Sequence, residues 1–196
     1  MSNHPLLTQF LTALQAAVVQ EPLSPAPMPD DSGIERLLAQ LPSTMYAELG
    51  EYLSVRLRAE ERGPFDVVLA LPEGVRLAEQ IADRLRLPLA RVQGQPGHWK
   101  IDPVLLRNRP RALMVSRELT TGRAEMEASV LANKYACEVK TLACVLERST
   151  APGRHRVLLL GVQTVAAVCL AHVPASPETR AGWVIERRRG QERPER

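Results

Sequence analysis

The chain has 196 residues, 45% of them hydrophobic, which suffices for one well-cored domain or for one domain with a small appendage. The formal net charge is +3 and the basic residues are mostly arginine, a balance that by itself says little about a nucleic-acid partner. No apolar run approaches the roughly 20 residues of a membrane-spanning helix, and the first residues lack the basic start and the small-residue cleavage site of a secretory signal.

The cysteines and histidines favour neither a disulfide framework nor a metal site. Cys137, Cys144 and Cys169 are odd in number and lack paired or metal-type spacing, and the four histidines are equally dispersed. We therefore expect reduced thiols, a cytoplasmic location and no protein-held metal ion.

The first 44 residues are predicted to be a helical and Pro-rich appendage. Apolar residues at helical spacing predict a helix over residues 5–19, and four prolines within residues 21–31 then exclude regular helix. Two more helices are predicted, a short one over residues 34–40 and a longer one over about residues 44–61. The main domain is expected to begin at residue 45.

After residue 64 the pattern changes to alternating strands and helices. The nearly continuous apolar run of residues 65–71 is typical of a strand buried on both faces of a parallel sheet. It ends at the turn Pro72–Gly74, helical spacing follows over residues 75–85, and residues 87–92 predict a second strand. This order of strand, tight turn, helix and strand indicates a βαβ unit.

The alternation continues to residue 146 after a long polar interruption. Residues 93–109 show little periodicity, and loops of this length inside a domain are usually functional or disordered. A short strand over residues 112–115 leads through polar residues and a Thr-Thr-Gly turn into a helix over residues 123–135, and another strand is predicted over residues 139–146.

These elements predict an α/β fold with a mainly parallel sheet flanked by helices, spanning residues 45–184. Apolar runs at residues 157–160 and 165–173 complete this domain, and residues 185–196 are expected to be a charged, solvated and mobile tail. In parallel sheets, ligands bind beyond the carboxyl ends of the strands, where the turn at Pro72–Gly74 and the Thr-Thr-Gly turn would both lie.

The turn Thr120-Thr121-Gly122 has the composition of a phosphate-binding loop. It follows a strand and precedes a helix, so its backbone N–H groups, its two hydroxyls and the helix N-terminus could all favour an anion, and Gly122 allows close approach. Such turns are also common as simple helix caps without a ligand, and this alternative stays open.

In the order of these parts the chain resembles the type I phosphoribosyltransferases, most nearly the orotate phosphoribosyltransferase branch, over roughly residues 45–170. The first matching segment is FDVVLALPEGVRLAEQIADRLRLPLARV, and the second is ALMVSRELTTGRAEMEASVLANKYACEVKTLACVLERS. The resemblance implies a protein that binds phosphoribosyl pyrophosphate with Mg²⁺, transfers its phosphoribosyl group to a nitrogenous base and works as a homodimer. It implies no other cofactor.

The resemblance also implies roles for particular residues. The 5′-phosphate loop would comprise Thr120, Thr121, Gly122 and Arg123. The pyrophosphate loop would include Pro72, Glu73, Gly74 and Arg76. The mobile catalytic loop and the strand before it would contribute Arg91, His98 and Lys100.

Three departures from the family pattern indicate altered chemistry. Two acidic positions that hold the ribose hydroxyls are Ser116 and Arg117 here, and a guanidinium opposes the positive charge that develops on a reacting ribose. Glu73 places a carboxylate where an uncharged residue is normal, which repels a diphosphate unless Mg²⁺ or Arg76 screens it. The mobile loop has few basic residues.

The leading interpretation is a phosphoribosyltransferase-like pseudoenzyme that keeps its phosphate loop and serves as a nucleotide-binding, phosphate-binding or regulatory protein. The first alternative is an active transferase, acting on a purine or pyrimidine base, in which Glu118 takes over the ribose contact. The second is a nucleic-acid-binding regulator, which the acidic residues of the basic tail and its lack of aromatic residues disfavour.

Overall fold

The computed structural model describes residues 5–19, 32–60, 62–109, 111–174 and 182–186. The predicted Pro-rich stretch at residues 21–31 lies outside the described residues, as does the predicted tail beyond residue 186. In the described part of the chain, no helix combines the length and the apolar character needed to cross a membrane.

One sheet forms the centre of the fold. Its strands are β1 (Val67–Ala70), β2 (Leu89–Arg91), β3 (Arg111–Leu119), β4 (Glu138–Arg148), β5 (Gln163–Val173) and β6 (Gly182–Ile185). Across the described ranges their order is β2-β1-β3-β4-β5-β6; β1 to β5 are parallel, and β6 pairs antiparallel with β5. The predicted fold class, a mainly parallel sheet flanked by helices, is therefore confirmed.

Helices cover both faces of this sheet. They are α1 (Pro5–Val19), α2 (Ser32–Ala39), α3 (Ser43–Ala59), α4 (Val75–Leu85), α5 (Pro103–Leu106), α6 (Arg123–Asn133) and α7 (Gly153–Leu159). Alternate strand residues enter two separate hydrophobic cores, because successive side chains of a strand point to opposite faces. Leu113 of β3 packs with α1 to α4 on one face, whereas Met114 packs with α5 to α7 on the other.

The N-terminal helices share a core with the sheet. Phe10 and Leu14 of α1 and Leu38 of α2 are buried in the same cluster as Leu113. The backbone amides of Leu6 and Leu7, at the start of α1, donate hydrogen bonds of 3.1 and 2.8 Å to the Glu48 carboxylate of α3. An acidic group suits this place, since the first amides of a helix lack partners within the helix. The predicted domain boundary at residue 44 stays a prediction.

The structure differs from the sequence expectation at three elements. Strand β3 continues past residue 115 to Leu119, because its polar residues still pair with β4, Ser116 with Cys144 and Glu118 with Leu146. The long polar segment contains α5, which is anchored by the buried Leu106. Ile185 belongs to β6 instead of the predicted mobile tail. The apolar run at residues 157–160, for which no element was predicted, lies mostly in α7.

Candidate functional site

Both predicted loops lie at the carboxyl edge of the sheet, one after β1 and one after β3. Strands β1 and β3 are adjacent, with Ala70 opposite Val115, and the amide of Leu71 donates to the Val115 carbonyl at 2.9 Å. The turn after β1 then lies directly on β3, since a Cβ added at Gly74 would stand 2.6 Å from the Val115 oxygen. Only a glycine permits this approach.

The loop Thr120–Gly122 turns the chain from β3 into α6. Gly122 has a φ of +73°, in the left-handed region that favours glycine. The Arg123 amide donates to the Thr121 hydroxyl at 3.4 Å, and the N-cap residue of α6 is Gly122, which offers no side-chain cap. Within the described ranges, neither the Thr121 nor the Gly122 amide donates a hydrogen bond to a protein acceptor.

Helix α7 packs against this loop and donates hydrogen bonds to it. The Gly153 amide donates to the Thr120 carbonyl at 2.8 Å, and Arg156 Nη1 donates to the Thr121 carbonyl at 3.0 Å. The backbones of Gly122 and Gly153 are in close contact, because a Cβ added at Gly122 would lie 2.9 Å from the Gly153 oxygen.

Ser116 and Arg117 occupy the end of β3. Ser116 is buried, and its hydroxyl donates to the Glu118 carbonyl at 3.4 Å. Arg117 is half-buried, and its Nε has no hydrogen-bond acceptor in the described part of the chain. This edge of β3 therefore carries a hydroxyl and a cation.

Glu118 is bound to an arginine of the neighbouring strand. Its Oε1 lies 2.5 Å from Nε of Arg148, whose side chain is only 2% exposed. The Arg148 guanidinium also stacks over the ring of Trp183 in β6, 4.4 Å from its centroid. This ion pair holds the Glu118 carboxylate towards β4.

Glu125, in the first turn of α6, is a buried carboxyl group next to Ser116. Loss of solvation raises the pKa of Glu125 to about 7, against the opposing effects of its own backbone amide and of the Ser116 hydroxyl. The carboxylates of Glu73 and Glu118 raise this pKa further. Three carboxyl groups thus lie within electrostatic reach of one another at this edge.

The residues of the predicted pyrophosphate loop separate in the structure. Pro72 and Glu73 are exposed in the turn after β1. Arg76 instead faces the start of α3: its guanidinium donates to the Leu41 carbonyl and to the Ser43 hydroxyl, at 3.2 and 2.6 Å. It also lies over the ring of Tyr46, 4.6 Å from the centroid.

Part of the predicted mobile loop contacts α6. Gln93 and Lys100 form a single antiparallel bridge, and the amide of Gly97 donates to Glu127 at 2.7 Å. His98 and Lys100 are exposed. The remaining member of this predicted set, Arg91, pairs with Glu79 of α4 at 2.6 Å.

Three charged residues of this edge had no predicted role: Glu125, Glu147 and Arg148. Glu147 is completely buried and bonded to Arg154 of α7. Ligands bind beyond the carboxyl ends of parallel strands, and β4 is adjacent to β3. The same rule that located Thr120–Gly122 could therefore have assigned Glu147 and Arg148, the last two residues of β4, to the site. Glu125 gave a weaker signal, because an acidic residue in the first turn of a helix ordinarily faces solvent.

Within the described ranges, no group of three or more His, Cys, Asp or Glu side chains is arranged to hold a metal ion. Of the carboxyl groups at this edge, Glu118 and Glu147 are paired with arginines and Glu125 is buried beside Ser116, whereas Glu73 is exposed.

No protein-family model and no curated protein matches the sequence. Among solved structures, the adenine phosphoribosyltransferase of Saccharomyces cerevisiae matches with a TM-score of 0.58 at 17% identity, over 81% of this chain and 98% of that one. The orotate phosphoribosyltransferase of Aeropyrum pernix matches with a TM-score of 0.54 at 18% identity, over 68% of this chain and 75% of that one. This chain has the type I phosphoribosyltransferase fold.

A third solved structure of this fold is also a ligand complex. The adenine phosphoribosyl transferase of Trypanosoma brucei, in complex with AMP, pyrophosphate and ribose-5-phosphate, matches with a TM-score of 0.57 at 12% identity, over 83% of this chain and 79% of that one. Since adenine and orotate enzymes both match, the predicted resemblance to the phosphoribosyltransferases is confirmed at the level of the fold. The comparisons do not single out the orotate branch.

Proposed function

We propose that this protein binds a phosphorylated ribose compound, such as a nucleotide, ribose 5-phosphate or phosphoribosyl pyrophosphate, and that it has lost most or all transferase activity. It would act as a nucleotide-binding or phosphate-binding regulatory protein. The observation that carries the binding half is the pair of unpartnered amides at Thr121 and Gly122, on a glycine turn at the carboxyl end of β3. Backbone amides at such a turn are suitable donors for a phosphate.

The charges on β3 support the proposed loss of transferase activity. Catalysis of phosphoribosyl transfer needs negative charge near the ribose, where an oxocarbenium-like transition state develops. Arg117 places a cation at that edge, and Glu118, the nearest carboxylate in sequence, is paired with Arg148. The electrostatic potential at a bound ribose is therefore less negative than it would be next to two unpaired carboxylates.

Calorimetric titration with ribose 5-phosphate and with AMP tests the binding half. We expect saturable binding by the wild-type protein, and a loss of affinity of about tenfold in Thr121→Ala, because a hydrogen bond to a charged phosphate is removed. Thr12→Ala is the matched control, since that exposed hydroxyl donates to the Thr8 carbonyl within α1. Equal affinities of the two variants would contradict a phosphate at this loop.

An active transferase is the second candidate, and the grouping of Glu73, Glu118 and Glu125 favours it. One of these carboxyl groups would replace the missing acidic pair. Mg²⁺ would then arrive with the diphosphate and be held mainly by its oxygens. A single-turnover assay with phosphoribosyl pyrophosphate, Mg²⁺ and a panel of bases distinguishes the candidates: pyrophosphate release that disappears in Thr121→Ala would establish the transferase.

The homodimer and the cytoplasmic location stay predictions. Sedimentation of the purified protein at several concentrations would test the first.

A further inference from the structure

Helix α7 holds two consecutive carbonyls of the Thr120–Gly122 loop. The Thr120 carbonyl accepts a hydrogen bond from the Gly153 amide at 2.8 Å, and the Thr121 carbonyl accepts one from Arg156 Nη1 at 3.0 Å. Both donors belong to an element that follows β4, 30 or more residues along the chain from the loop. They hold the loop from an element outside its own strand and helix.

These bonds also fix the direction of the loop amides. In a trans peptide the C=O and the following N–H point in opposite directions, because the unit is planar. Both of these peptide bonds are trans, as Gly63–Pro64 is the cis bond of the described chain. With the Thr120 and Thr121 carbonyls directed at α7, the amides of Thr121 and Gly122 are directed away from it.

The two amides directed away from α7 have no protein acceptor. Neither the Thr121 nor the Gly122 N–H donates a hydrogen bond within the described residues. Gly122 adopts φ +73°, and two successive N–H groups in such a turn form a concavity suited to an anion. The orientation therefore exists before any ligand binds.

We propose that Arg156 is a positioning residue for a phosphate dianion at this loop, and that it acts by holding the Thr121 carbonyl so that the Gly122 amide faces the ligand. The inference rests on the proposed function for its ligand and on the contacts with α7 for its mechanism. Gly153 performs the same task for the Thr121 amide. Arg156 acts through the loop and does not bind the phosphate itself.

The structure offers a closely matched control for Arg156. Arg58 is also an exposed arginine that donates to a backbone carbonyl, that of Arg84, at 3.0 Å, and it lies on α3 on the other face of the sheet. Arg156→Met and Arg58→Met therefore remove the same charge and the same kind of hydrogen bond at two places. Arg156→Lys keeps a donor for the Thr121 carbonyl.

The experiment records amide NMR spectra of the four proteins without ligand and during titration with ribose 5-phosphate. We expect Arg156→Met to move the ligand-free Gly122 amide resonance and to weaken binding about fivefold to tenfold, the size expected for one hydrogen bond. Arg156→Lys should restore most of the affinity, and Arg58→Met should match wild type. The loss in Arg156→Met should persist at high salt, because it arises from geometry and not from long-range charge.

Two results would overturn the positioning role. One is a ligand-free Gly122 resonance that is unchanged in Arg156→Met, and the other is an affinity loss that disappears at high salt, which would make Arg156 a simple attracting charge. Failure of the proposed function is seen separately, as a wild-type Gly122 resonance that does not respond to ribose 5-phosphate. In that case the ligand-free spectra still decide whether Arg156 orients the loop.

Discussion

Glu118 of β3 and Arg148 of β4 form an ion pair in which Oε1 and Nε are 2.5 Å apart, and the arginine is almost completely buried. A buried guanidinium needs a partner, because transfer of an unpaired charge from water costs several kcal/mol. Glu118 is one such partner. The pair thus has a structural role, and it competes with any use of Glu118 as a ribose ligand.

Removing the carboxylate of this pair should lower stability strongly. In Glu118→Gln the buried Arg148 charge loses the Glu118 carboxylate beside it, and we expect the free energy of unfolding to fall by about 3 kcal/mol. Glu79→Gln is the control, since the Glu79–Arg91 pair has side chains 44% and 53% exposed and should contribute about 0–1 kcal/mol. Urea unfolding measures both, and equal small losses would show that the Arg148 charge is solvated.

A side chain at Gly122 should disrupt the loop in two ways. Gly122→Ala would place a Cβ 2.9 Å from the Gly153 oxygen and would also strain a backbone with φ +73°. Gly161→Ala is the comparison, because Gly161 has φ +76° but open space around its Cα. We expect Gly161→Ala to cost about 1 kcal/mol from backbone strain alone, and Gly122→Ala to cost more and to abolish binding of ribose 5-phosphate. Thermal unfolding measures the loss of stability in both variants, and the excess loss in Gly122→Ala reports the contact with Gly153. Titration with ribose 5-phosphate measures the effect on binding.

The raised pKa of Glu125 predicts that stability falls as the pH rises. Below about pH 4.5 the carboxyl is protonated in both the folded and the unfolded chain, so it contributes no pH dependence. Between its ordinary pKa of 4.5 and the folded value of about 7, the unfolded chain releases the proton first, and the folded state is progressively disfavoured. Well above pH 7 Glu125 is ionised in both states, and its burial then lowers the free energy of unfolding by about 3 kcal/mol.

Glu125→Gln should therefore gain stability relative to wild type as the pH rises from 5 to 8, as measured by urea unfolding at each pH. Glu127→Gln is the control on the same helix. The hydrogen bond and the charge of Arg123 lower the pKa of Glu127, so this variant should show no such gain. If the difference between Glu125→Gln and wild type stays constant across this range, Glu125 is ionised in the folded protein like an ordinary surface carboxylate.

Arg76 should matter for stability and not for ligand binding. Its guanidinium holds the Leu41 carbonyl and the Ser43 hydroxyl and stacks on Tyr46, which ties α4 to the start of α3. We expect Arg76→Met to lower the free energy of unfolding by about 1 kcal/mol and to leave the affinity for ribose 5-phosphate unchanged. A large loss of affinity with little loss of stability would instead support the predicted role of Arg76 in the pyrophosphate loop.

The fold was predictable because its strong signals are local. The apolar run that contains β1 and the amphipathic spacing of α4 each fix their element from neighbouring residues alone. The extent of β3 was not predictable in this way. Ser116 and Glu118 are polar, and only their pairing with β4, about 28 residues later, keeps them in the strand.

The candidate site was predictable in its backbone and much less so in its side-chain partners. Thr120–Gly122 is located by its strand, its glycine and its helix, which are contiguous in sequence. The partner of Glu118 is Arg148, and the residue that holds Thr121 is Arg156 of α7. Both contacts depend on tertiary geometry that no local spacing encodes.

One ³¹P NMR experiment on the wild-type protein, with phosphoribosyl pyrophosphate, Mg²⁺ and a panel of bases, tests at once whether the protein retains a phosphate site and whether it lacks transferase chemistry. We expect the 5′-phosphate resonance to shift or broaden with increasing protein while no free pyrophosphate accumulates. Accumulation of pyrophosphate that requires both protein and base, or a 5′-phosphate resonance that does not respond to the protein, would contradict the proposed function.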